Sequence, residues 1–138
     1  EPYSNIEMEY GPQILWPDHC IQGSTGASFH KNLNTNKSDI ILRKGSNPKI
    51  DSYSAFFEND KNTTTGLEGY LLKKDIKKLY LCGLAFDYCV LYSALDGVSL
   101  GFEVSVFQDL TKAIDLNNSK KIARKSMIEK GIKLINFI

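Results

Sequence analysis

Lys78-Leu79-Tyr80-Leu81-Cys82-Gly83-Leu84 runs directly into Ala85-Phe86-Asp87-Tyr88-Cys89-Val90, and this junction decides the fold class. Apart from Lys78 the first stretch is continuously apolar or small, as in a strand buried on both faces of a parallel sheet. From Tyr88 onward the period changes: Val90, Leu91, Ala94, Leu95 and Val98 share one side of a predicted helix over residues 88–100, and Gly101 is placed to end it. Outward from this unit the alternation continues. Residues 102–107 read as a strand, Asn118 or Ser119 can cap a helix running to Lys130 with Gly131 as terminator, and residues 132–138 read as a last strand. Upstream, Leu67, Tyr70, Leu71 and Lys74 give helical spacing to residues 66–77, and Asp39-Ile40-Ile41-Leu42-Arg43 is a short β-prone run ending at Lys44-Gly45. Residues 1–36, rich in Gly, Pro, Ser and Asn, read as loop, and so do residues 46–65. The order β-α-β-α-β-α-β predicts one α/β domain over residues 1–138, a parallel sheet with helices on both faces.

In such sheets the active site lies at the carboxyl ends of the strands. Two segments fall there: Lys44-Gly45, and Ala85 to Cys89. Cys89 sits where strand becomes helix, and a helix N-terminus stabilises a thiolate and a developing oxyanion. Lys44 would stand at the same edge and add a positive charge. On residues alone Cys89 reads either as a core cysteine or as a nucleophile. Cys82, inside the strand, reads as core, and Cys20 as loop. His19 and His30, the only histidines, do not match a specific zinc spacing.

Other classes are set aside by what the sequence lacks. The net charge of +1 gives no basis for nucleic acid or an anionic membrane as partner. Lysines gather at Lys73, Lys74, Lys77 and Lys78, and basic residues again at Lys120, Lys121, Arg124 and Lys125, as solvated helix faces. No apolar run reaches the roughly 20 residues of a membrane span. Neither GxGxxG nor GxxxxGK[ST] is present, so phosphate cradles are missing. Three cysteines without framework spacing predict free thiols in a reducing compartment, hence a cytoplasmic location.

Three segments in register resemble the nicotinamidases, a branch of the isochorismatase-like cysteine hydrolases. Trp16-Pro17-Asp18-His19-Cys20 through Phe29-His30 is similar to WPxHCxxGTxGAxFH. Arg43-Lys44-Gly45 with Asp51 to Phe57 is similar to the segment bearing the family's lysine. Residues 83–90 are similar to G-[LIV]-A-x-D-[YH]-C-V. The resemblance implies the isochorismatase-like fold and hydrolysis of nicotinamide to nicotinic acid and ammonia in NAD salvage. It implies Cys89 as nucleophile, Lys44 as its partner, and the N–H groups of Ala85 and Cys89 as oxyanion hole, behind a cis Leu84-Ala85 peptide. Trp16 and Tyr53 would hold the pyridine ring. His19 would ligate a divalent metal, zinc foremost, with iron or manganese also suited. A homo-oligomer is implied as well. Another amidohydrolase of the same fold, or a non-catalytic domain, are the competing readings. The family's D-x-Q-x-x-F and D-x-H motifs do not occur here, and the chain opens on Glu1-Pro2. The expectation is therefore that residues 1–138 are the C-terminal portion of the domain, with a first β-α-β unit lying upstream.

Overall fold

The apolar run forms a strand with the predicted bounds, β3 (Lys78–Leu84), in the computed structural model, which describes all 138 residues. Its parallel neighbour is β4 (Glu103–Lys112), and β4 in turn pairs with β5 (Lys133–Ile135), giving the sheet order β3-β4-β5. Between Leu81 and Gly83 the register shifts, so that Leu81 faces Val106 but Gly83 faces Thr111. The parallel α/β sheet expected from the sequence is present.

Two helices cross between these strands. A π-turn over Phe86–Val90 leads into α2 (Leu91–Ser99), and α3 (Ser119–Glu129) follows β4. Gly101 and Gly131, the predicted terminators, take φ of 90° and 75° and end their helices. Capping of α3 differs from expectation. Asn118 adopts a left-handed φ of 64° and makes no side-chain cap, while Ser119 donates to Asp87. Asp115 instead accepts from the Lys120 N–H at 3.2 Å. The helix predicted over residues 66–77 is shorter, α1 (Leu67–Lys73), because Asp75 turns left-handed at φ 54°.

Helices α2 and α3 pack together on the sheet, and Ala94, Val104, Val106, Ala123, Met127 and Ile132 form a core with Phe56 and Phe102. Gly97 sits at its tightest point. A Cβ there would lie 3.1 Å from Val104 Cγ2 and 3.3 Å from Leu79 Cδ1. Gly97→Leu is expected to cost about 3 kcal/mol by overpacking, read as a lower urea midpoint at unchanged m-value.

Three expectations fail here. Residues 39–43 form no strand, because no strand of this chain lies beside them to take up their backbone groups. The stretch read as loop contains a hairpin, β1 (Asn5–Met8) antiparallel to β2 (Gly11–Ile14), in which Met8 faces Gly11. And β3 is not buried on both faces: Leu79, Leu81 and Gly83 are half-buried, whereas Tyr80, Cys82 and Leu84 are exposed. β3 is an edge strand with one neighbour, and these residues supply no helical layer over the face carrying Tyr80 and Phe107 (stacked at 5.8 Å). Cys82 is accordingly a surface residue and not core. No helix is long and apolar enough to cross a membrane.

Candidate active site

Cys89 lies in the π-turn that β3 feeds, so strand geometry fixes its backbone before α2 begins. The Leu84-Ala85 peptide is cis. Ala85 stands just before the turn, and its carbonyl accepts from the Tyr88 and Val90 N–H groups at 3.1 and 3.0 Å. Asp87, 3% exposed, anchors the turn from below. Its carboxylate accepts from the Ile114 and Asp115 N–H groups at 3.0 and 2.8 Å and from the Ser119 hydroxyl. Burial alone would push this carboxyl up. The Ser119 hydroxyl and the two backbone donors outweigh that, and its pKa lies below the usual 3.8.

Lys44 reaches Cys89 across the sheet edge even though the run before it is not a strand. Its Nζ donates to the Ser52 carbonyl and lies 3.7 Å from Cys89 Sγ. The loop carrying Ser52 is tied to α2 by Ser93, whose hydroxyl accepts from the Ala55 N–H at 2.9 Å and donates to the Cys89 carbonyl at 2.6 Å. A thiol and an ammonium from positions 45 residues apart are thus brought together by two independent tethers. Cys89 opens on a recess of about 190 Å³ lined by Ala55, Leu81, Leu84 and Val90. A second recess, about 230 Å³ between Phe29, Leu33 and residues 40–42, carries no thiol, imidazole, carboxylate or amine.

Trp16 and Tyr53 also meet. Trp16 Nε1 donates to the Tyr53 hydroxyl at 2.9 Å. The Tyr88 ring, next to the nucleophile in sequence, lies 4.7 Å from Trp16 and 5.6 Å from Tyr53, edge to face in both cases. Burial, against hydrogen bonds from Trp16 and Gln13, pushes the Tyr53 hydroxyl up to about 12, so it stays neutral throughout the physiological range.

An isochorismatase domain profile matches residues 6–136. The chain belongs to the isochorismatase domain family. It is 43% identical over 136 residues to the nicotinamidase of Acinetobacter baylyi, covering 99% of this chain and 64% of that protein. The structure of an Acinetobacter baumanii nicotinamidase/pyrazinamidase superposes with a TM-score of 0.96 at 47% identity, over 99% of this chain and 66% of the other. The pyrazinamidase of Pyrococcus horikoshii, solved in complex with zinc, superposes at 0.74 with 34% identity, over 88% and 63%. This isochorismatase-family chain therefore spans less than two thirds of the length of the curated A. baylyi relative.

His19 is exposed, and its Nδ1 lies 2.6 Å from the Pro17 carbonyl, which leaves Nε2 as the outward nitrogen. No group of three His, Cys, Asp or Glu side chains is assembled anywhere in the chain. The buried side-chain oxygens without partners, Ser52 Oγ and Glu58 Oε2, belong to the loop that follows Lys44 and not to the His19 segment. A single imidazole does not make a metal centre, so these 138 residues do not by themselves fit one. His30 accepts hydrogen bonds from the Asn32 N–H at Nδ1 and, through its carbonyl, from the Leu33 N–H; Cys20 is exposed. Gln13 escaped the sequence reading because it lies in the unrecognised hairpin. The alternation of Ile6 and Met8 ahead of the Glu9-Tyr10 turn was the available signal.

Proposed function

We propose that the protein of which this chain is part is a nicotinamidase, hydrolysing nicotinamide to nicotinic acid and ammonia in NAD salvage. The observation that carries the reading is the Cys89 thiol 3.7 Å from the Lys44 ammonium, in the π-turn that leads into α2, in a chain 43% identical to a nicotinamidase. Cys89 as thiolate attacks the carboxamide carbon, forming a C–S bond. The N–H groups of Ala85 and Cys89 receive the charge on the former carbonyl oxygen. As the tetrahedral adduct collapses the C–N bond breaks, and the amine takes a proton to leave as ammonia. Water then adds to the thioester carbon, the acid departs, and the sulfur is free again. Lys44 holds the thiolate and helps to move these protons.

Trp16 and Tyr53 supply flat apolar surface suited to a pyridine ring. His19 would offer one imidazole to a divalent metal, with zinc the best-supported choice given the zinc complex of the P. horikoshii relative. The other ligands, like the aspartate of the D-x-Q-x-x-F motif, would come from outside residues 1–138. Three free cysteines and a reactive thiol suit a reducing compartment, and we place the protein in the cytoplasm. Self-association is carried over from the resemblance.

Ammonia release from nicotinamide by the complete protein tests the reading directly. Lys44→Met is expected to lower kcat/KM by about 10³-fold and to slow alkylation of Cys89 by iodoacetamide. Unchanged alkylation and turnover would remove Lys44 from the site.

A further inference from the structure

Two segments distant in sequence converge on one buried amide, that of Gln13 on β2, which is 6% exposed. Its Nε2 donates to the Ile14 carbonyl at 2.8 Å, to Asp51 Oδ2 at 2.6 Å and to the Tyr53 hydroxyl at 2.8 Å. Its Oε1 accepts from Asn59 Nδ2 at 3.0 Å and from the Tyr10 hydroxyl at 3.2 Å. The network closes on itself, because the Tyr10 hydroxyl accepts from the Asp51 N–H at 3.1 Å and Asn59 Oδ1 from the Tyr53 N–H at 3.0 Å. Two amide hydrogens serve three acceptors, and a flipped amide would set N–H against N–H at Asn59. The side chain therefore has a single satisfactory orientation. Tyr53 is gripped at both ends, hydroxyl and backbone, and its hydroxyl in turn receives Trp16 Nε1.

We propose that Gln13 is a positioning residue, which from the β1–β2 hairpin fixes the orientation of Trp16 and Tyr53 and so sets how tightly an aromatic ring amide is held beside Cys89. Gln13 touches no reacting atom. It acts on binding through the two aromatic rings and leaves the Cys89–Lys44 pair alone. The inference rests on the nicotinamidase reading, and the wild-type protein is measured first for that reason.

The test uses the complete protein, with steady-state kinetics on nicotinamide, calorimetric binding of nicotinic acid and Cys89 alkylation without ligand. Gln13→Leu is expected to raise KM and the nicotinic acid Kd by about tenfold, the effect of losing one or two buried hydrogen bonds. kcat should stay within about threefold, and alkylation should be unchanged. Tyr10→Phe removes one hydroxyl from the rim of the network. It is expected to fold normally and shift KM and Kd in the same direction by about threefold, so it decides the matter if Gln13→Leu does not fold. Wild-type KM and Kd in both variants would overturn the inference, as would a fall in kcat with KM unmoved. Wild-type protein that neither releases ammonia nor binds nicotinic acid would overturn the underlying reading, and the inference with it.

Discussion

Cys89→Ala is expected to abolish ammonia release, by about 10⁴-fold or more, because the covalent intermediate forms on the one thiol that lies beside Lys44. Cys20 and Cys82 cannot substitute for it. Both are exposed thiols on other elements, whereas Cys89 alone lies beside Lys44. The fold should hardly register the change. Cys89 is only partly buried on an open recess, so loss of its sulfur should cost no more than about 1 kcal/mol. The variant should therefore still bind nicotinic acid and melt close to wild type, while intact-mass analysis during turnover shows no acyl adduct. Substantial ammonia release by a folded Cys89→Ala protein would refute the cysteine mechanism outright.

Asp87→Ala is expected to act on stability and turnover together. The substitution leaves the Ile114 and Asp115 N–H groups and the Ser119 hydroxyl without their acceptor, in a place almost free of water. Abandoning three donors that had a charged acceptor costs about 3 kcal/mol or more, visible as a lower thermal midpoint. The pH dependence has a definite sign. The folded-state pKa of Asp87 lies below the unfolded value of 3.8. Its stabilisation is thus fully present above that value and is lost as pH falls through the folded pKa. Wild type should lose stability in that acid range, and Asp87→Ala should lose less. Because the same carboxylate pins the turn bearing Cys89, kcat should fall as well. Equal acid sensitivity in the two proteins would show that Asp87 is not the group responsible.

The parts of the fold legible in the sequence were those whose partners lie within the chain. β3 was found to the residue, since an uninterrupted apolar run next to a helical period has few other readings, and Gly101 and Gly131 marked helix ends because each needed positive φ. Residues 39–43 have the composition of a strand, but composition cannot supply a neighbour to pair with. The same lack explains Cys82, which carries the pattern of a buried position on a strand that has one side open. In the site, Cys89 was readable from its strand-to-helix junction, and Lys44 from its place after a β-prone run, although that run forms no strand. Gln13 and Asp87 stayed hidden as working parts because their importance lies in contacts 38 to 46 and 27 to 32 positions away. Local spacing carries no trace of such contacts.

The 45-residue separation of Lys44 and Cys89 also bears on when the site comes into being. Closing a loop of that length, with Trp16 and Tyr53 joined across an overlapping span of 37 positions, requires chain entropy to be surrendered before the contacts return anything. Helices and the β3–β4 crossover can form early from nearby residues, but a lysine beside the sulfur exists only once the distant loops have docked. Reactivity of Cys89 is therefore a clock for the last stage of folding, and a refolding chain should recover its helical signal well before it recovers its chemistry.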